Sequence, residues 1–415
     1  MITNPLLRLE RRLSPEALAL IQRAGALAAK GRLRIYLVGG VVRDVLMNRP
    51  SADLDLVVEG NAIGLAGSLA RESNGRLVIH RRFGTAKIRL GSLNVDLAMA
   101  RAETYARPGA LPSVQPGSIQ DDLARRDFTV NAMAIRLERG GFGQLVDPFG
   151  GQADLDNRLI RVLHDRSFID DATRMLRAVR YEQRFGFRLE PDTEKLLRRD
   201  VGMLRSISGD RIRHELEMML GEEQPEKALK RAGELGLLAE VHPALEGNGW
   251  LAEVFRKARE AAAPQTVALY FALLTYRFKE TQCEDFTHRL KTPGPVSQAV
   301  RDTARLRQQL PSLAQPCLAP SAVFELLQGY SLASIQACAI ATDSAVVRER
   351  LTLYLTRWRR VRTGLDGSAL QKMGVPAGPE LGRLLKELRD AKLDGRIVTR
   401  EDEIELVQRW LSQGR

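Results

Sequence analysis

The stretch that decides the fold reads Leu37-Val38-Gly39-Gly40-Val41-Val42-Arg43-Asp44 and, ten residues after Arg43, Asp53-Leu54-Asp55-Leu56-Val57-Val58. An apolar strand runs into a glycine pair and then a helix. In a phosphate-binding turn, Gly39 and Gly40 let backbone approach a triphosphate, the helix start offers free N–H groups, and Arg43 adds charge. A glycine pair alone is more often a plain turn, so the next strand matters. Asp53 and Asp55, at i and i+2, point to one side of the sheet. An apolar strand tolerates two adjacent carboxylates where a cation neutralises them. Two oxygen ligands that leave room for water and phosphate suit Mg²⁺. The alternative is a solvent-facing edge with two ordinary acids. Asp96, in Asn94-Val95-Asp96-Leu97, is a third acid on a strand that fits beside the first, either as a metal ligand or general base or as an exposed strand acid. Three acids could hold two metals, one lowering the pKa of an attacking hydroxyl and one clamping a triphosphate.

Outward from this block, Leu33 to Val38, Leu54 to Val58, Arg76 to His80, Thr85 to Leu90 and Asn94 to Ala98 read as strands between helical patterns. Beyond Asp170 the apolar period becomes 3.6 and the chain reads as all-helical, punctuated by Pro and Gly as at Thr292-Pro293-Gly294-Pro295. At 415 residues the chain exceeds one ordinary core, which predicts several domains. Lys and Arg number 63 against 51 Asp and Glu, a formal charge of +12, which suits a polyanionic partner but does not identify one. Cys283, Cys317 and Cys338 form neither a CxxC pair nor a disulfide framework. Met1 to Lys30 lacks the pattern of an export signal, and no run approaches the roughly 18 apolar residues of a membrane span. The expectation is a cytoplasmic protein with no membrane contact. His164-Asp165 lacks the further histidines of a metal-dependent phosphohydrolase and reads as structural. Arg174, Arg177, Arg180 and Arg184 share one helix face, which suits a triphosphate or, more plainly, a solvated face.

Five ordered blocks carry a resemblance: Gly39 to Asp44 with Asp53-Leu54-Asp55; Arg125-Arg126-Asp127-Phe128-Thr129-Val130-Asn131-Ala132; Asp147-Pro148-Phe149-Gly150-Gly151; Asp170-Asp171-Ala172-Thr173-Arg174; and Met175 to Arg180. With Gly209-Asp210-Arg211-Ile212, they make the chain similar to the class II tRNA nucleotidyltransferases (CCA-adding enzymes) and the related bacterial poly(A) polymerases. The resemblance is clear over roughly residues 1–220 and faint over 222–363. It implies an α+β fold, with a small mixed β-sheet nucleotidyltransferase head at 1–163. An all-α neck (164–221), body (222–363) and tail (364–415) would follow, the last binding tRNA.

The resemblance further implies C and A addition from CTP and ATP to the tRNA 3′ end. Asp53 and Asp55 would be Mg²⁺ ligands, and Asp53, Asp55 and Asp96 the catalytic acids. Gly39, Gly40, Arg43, Arg126, Asp127, Asp171, Arg174, Arg177 and Arg180 would bind the nucleotide, and Ala102 to Ile119 would be a mobile loop. Cytosine and adenine each present an amine beside a ring-nitrogen acceptor, which a carboxylate (Asp171) and a guanidinium (Arg174) complement; uracil and guanine reverse that order. The alternative for Asp171 is a helix cap. The family's Glu-Asp-Pro is Asp170-Asp171-Ala172 here. The remaining alternatives are a CC-adding or A-adding enzyme, a poly(A) polymerase and a non-catalytic RNA binder.

Overall fold

The computed structural model describes residues 5–50, 53–81, 84–104, 113–261 and 265–412. It divides into two compact units: Met1–Glu215 with Glu222–Val241, and Leu216–Gly221 with His242–Arg415.

The first unit is built on a seven-stranded mixed sheet. Its strands in chain order are β1 (Arg34–Val38), β2 (Asp53–Glu59), β3 (Arg76–His80), β4 (Thr85–Leu90) and β5 (Leu93–Met99). After β6 (Arg101–Thr104) and β7 (Ser113–Pro116) come β8 (Ala134–Arg136) and β9 (Leu145–Val146). The sheet order is β3-β4-β5-β2-β1-β8-β9, while β6 and β7 pair antiparallel by themselves. Only β2 and β5 of the large sheet run parallel, and their register sets Asp53 against Asn94 and Asp55 against Asp96. That register is fixed by alternation: Leu54, Leu56, Val95 and Leu97 are buried on one face, which sends the intervening acids to the other.

The five strands read from the sequence are present, with ends displaced by at most one residue. The two short strands β8 and β9 were not legible, because three and two residues are too few for alternation to register. Of the expected mobile loop, the arms form the β6–β7 ladder, and residues 105–112 lie outside the described residues.

Around the sheet, helices start where the sequence supplies caps. Ser118 accepts the Asp121 amide while Asp121 returns a bond to the Ser118 amide, a capping box that begins Ile119–Ala124. The amphipathic Thr173–Phe185 helix ends at Gly186, left-handed at φ 66°. The second unit is helical throughout its described residues from Gly249 to Ser412. Near its end a separate core gathers Leu365, Leu370, Leu384, Leu388 and Val407. Fully buried Glu403 ties that core together, accepting the Gly364 and Leu365 amides and pairing with Lys392. Among the described residues no helix is long and apolar enough to cross a membrane.

Candidate active site

A cleft of about 490 Å³ lies within the first unit, lined by Gly39, Gly40, Arg43, Asp55, Glu103, Arg125, Arg126, Asp127, Asn131, Asp171, Arg174, Arg177, Tyr181 and Arg184. Eight of the nine nucleotide-binding residues expected from the sequence therefore stand on its wall, joined by Asp55, and Arg180 does not. Gly39 sits at φ 75°, a conformation open to glycine, and a Cβ there would come within 2.7 Å of Arg126 Nη1. The turn thus keeps backbone and guanidinium in near contact.

The acidic edge is formed by Asp53, exposed, and Asp55, half-buried, with Asp96 beside Asp55 on the parallel strand. Burial pushes the Asp55 carboxyl up; Arg126 opposes this, and the charges of Asp96 and Asp53 add to it. Asp96 pairs with Lys87 across the β4–β5 ladder at 3.0 Å. Among the described residues no three of His, Cys, Asp and Glu converge into a closed metal cage. Mg²⁺ does not need one: it keeps waters and takes one or two carboxylates plus substrate phosphates, which Asp53 and Asp55 fit.

On the opposite wall the Thr173–Phe185 helix presents its arginines unequally. Arg177 donates twice to Asp127 Oδ2, at 2.9 and 2.5 Å, and Asn131 donates to Asp127 Oδ1 at 2.9 Å. Burial would raise the Asp127 carboxyl, but Arg177 and the Asn131 hydrogen bond outweigh it and hold it below the usual range. Arg174 is buried, donating to the carbonyls of Arg125 at 2.8 Å and Ser167 at 3.4 Å. Arg180 turns away from the lining and is buried against Glu215 and Glu222, each at 3.5 Å. Periodicity placed these residues on one face; the neighbouring acids decide which reach the cleft.

Arg43 Nη1 donates to Asn131 at 2.6 Å, and its guanidinium lies 4.5 Å from the Phe185 ring centre. Asp171 accepts the Thr173 amide and hydroxyl and pairs with Arg211 at 2.7 Å, all through Oδ1. It therefore supports the helix start from a position on the cleft lining. His164, 4.0 Å from Asp170, has its imidazole pKa lowered by burial.

Several participants escaped the sequence reading. Asn131 contacts Arg43, Tyr181 lies under Arg43 and Arg177, and Glu103 pairs with Arg125 at 3.0 Å. Asp122, fully buried, pairs with both Arg125 and Arg126. Its i+3 and i+4 spacing to that pair was the available signal. Arg211 was beyond reach, since 40 residues separate it from Asp171.

Comparisons with known proteins bear on the family and the fold. Residues 35–161 match the family described as the poly A polymerase head domain. Residues 186–247 match the one described as the probable RNA and SrmB-binding site of polymerase A. The chain is 33% identical to an A-adding tRNA nucleotidyltransferase of Geobacter sulfurreducens over 97% of its own length and 48% of that protein's, so it spans about half of that relative. It is 32% identical to the A-adding tRNA nucleotidyltransferase of Halalkalibacterium halodurans over 96% of this chain and 94% of that one. Among solved structures, the Thermotoga maritima CCA-adding enzyme complexed with tRNA superimposes at TM-score 0.77 and 31% identity, covering 98% of each chain. The sequence blocks, the mixed sheet and these likenesses over nearly the whole of this chain agree: the chain belongs to the tRNA nucleotidyltransferase family.

Proposed function

We infer that this protein adds nucleotides from CTP or ATP to the 3′ end of tRNA, releasing pyrophosphate. The observation that carries the reading is Asp55 on the lining of a cleft walled by Gly39, Gly40 and six arginines, with Asp53 two residues earlier on the same strand and Asp96 opposite Asp55 on the parallel one. Asp53 and Asp55 would hold Mg²⁺. When bound, the metal would lower the pKa of the attacking 3′-hydroxyl and stabilise charge on the phosphates. Arg43, Arg126 and Arg177 would take the triphosphate, since fixed guanidiniums stabilise developing charge without reorganising. Asp96, paired to Lys87, would complete the acidic edge. Asp171 Oδ2 would accept the exocyclic amine of C or A, while Arg174 would donate to the ring nitrogen beside it. The body and tail would hold the tRNA. The three cysteines, free in the structure, suit a reducing cytoplasm.

A second reading narrows the product to the terminal A, favoured by the A-adding names of the two relatives above. Two transcripts of one tRNA separate the readings, the first lacking only the terminal A and the second lacking all of CCA. Labelled ATP entering only the first, with no CTP entering the second, identifies an A-adding enzyme; completion of both identifies full CCA addition. Neither label entering either RNA would refute the proposed activity.

Base choice supplies a separate expectation. Arg174→Ala should lower the ratio of kcat/KM for ATP over UTP by about 5- to 150-fold, as losing one good base contact costs about 1–3 kcal/mol. Effects common to every nucleotide cancel in that ratio. Full discrimination in an otherwise weakened variant would show that the base is read elsewhere.

A further inference from the structure

We propose that Asp122 is a positioning residue that keeps Arg126 off the acidic edge, so that Asp55 stays open to a cation. The inference rests on the reading of Asp53 and Asp55 as metal ligands and goes beyond it, since Asp122 touches neither.

Asp122 lies in the Ile119–Ala124 helix with its side chain fully buried. Its Oδ1 accepts Arg125 Nε at 3.0 Å and Nη2 at 2.6 Å, and its Oδ2 accepts Arg126 Nη2 at 3.0 Å. A buried charge is tolerated here because both oxygens are paired. Arg126 is held by that one nitrogen. Its Nε is buried with no hydrogen-bond partner, and its Nη1 borders Gly39. From the position of a Cβ on Gly39, Arg126 Nη1 lies at 2.7 Å and Asp55 Oδ2 at 3.8 Å. The guanidinium therefore stands beside Asp55 yet forms its ion pair with Asp122.

Two carboxylates compete for one arginine. Asp55 is half-buried among Asp53 and Asp96, so a nearby cation would be strongly attracted to it. The charge on Asp122 is the counterweight. Asp122→Asn keeps the shape and one acceptor but removes that charge, so Arg126 swings to Asp55 and pairs with the oxygen a metal needs. Arg125 stays anchored through Glu103. The loss at the metal site would come from a competitor placed there and not from collapse of the wall.

The test is a Mn²⁺ titration of the full chain without nucleotide or tRNA, followed by the electron paramagnetic resonance signal of free Mn²⁺. Asp122→Asn should bind Mn²⁺ at least about fivefold more weakly than wild type, the size expected of coupling between adjacent charged groups. In Asp122→Asn with Arg126→Gln the competitor is gone, and affinity should return to within about twofold of wild type. Asp122→Glu retains the charge and should also bind within about twofold, which keeps the proposal testable if Asp122→Asn does not fold. Unchanged binding in Asp122→Asn, equal weakness in the double variant, or a fivefold loss in Asp122→Glu would each overturn the inference while leaving the metal reading intact. A wild-type protein that binds no Mn²⁺ would overturn both.

Discussion

Asp53→Asn and Asp55→Asn are each expected to reduce nucleotide addition by about a thousandfold or more, with tRNA affinity nearly unchanged. An amide keeps the shape of the carboxylate but not its charge, so the cation loses the anion that retains it. Both the hydroxyl nucleophile and the pyrophosphate leaving group then go without stabilisation. A loss of about 4 kcal/mol of transition-state stabilisation corresponds to that factor. Single-turnover incorporation of labelled ATP and a filter-binding isotherm for tRNA separate the two quantities. Turnover within tenfold of wild type in either variant would remove that residue from the metal site. Asp55 should be the more sensitive of the two, because it is the more buried and lies against Asp96.

Arg177→Ala is expected to act on stability as well as on the nucleotide. It leaves Asp127, 8% exposed, with only Asn131 and the Phe128 amide as donors. Removing one partner of a buried pair costs about 3–5 kcal/mol, and since the Arg177 side chain is 35% exposed the low end of that range applies. The pH dependence has a definite sign. Asp127 is held below its ordinary pKa of 3.8 in the fold. Its contribution is therefore complete above that value and is lost as pH falls through the lower folded pKa. The Tm difference between wild type and Arg177→Ala should be full at neutral pH and shrink under acid conditions. A difference that stayed constant down to acid pH would show that the pair contributes packing and not charge.

What could be read in advance and what could not divide along physical lines. Asp53, Asp55 and Asp96 were legible because strand alternation is local: two apolar neighbours fix which way each acid points. The arginine face was legible as a periodicity, but its division between Arg177 on the cleft and Arg180 against Glu215 and Glu222 was not. That division depends on acids distant in sequence. Asp122 looked like the second of two ordinary helix acids: its spacing to Arg125 and Arg126 was there to read, but the burial that separates it from exposed Asp121 was not. The short strands β8 and β9 owe their existence to an edge supplied by β1, and their own residues do not announce it.

The pairing of β2 with β5 makes the hydrophobic core a reading frame for the chemistry. One inserted residue between Asp53 and Leu56 would invert the alternation downstream, turning either the carboxylates inward or Leu54 and Leu56 outward. The chain would have to choose between its core and its acids. Length changes at this strand are thus excluded far more strictly than substitutions, and catalytic competence and foldability share a single point of failure. Leu54 and Leu56 touch no substrate in this account, yet they enforce the spelling of the active site as firmly as the aspartates that they separate.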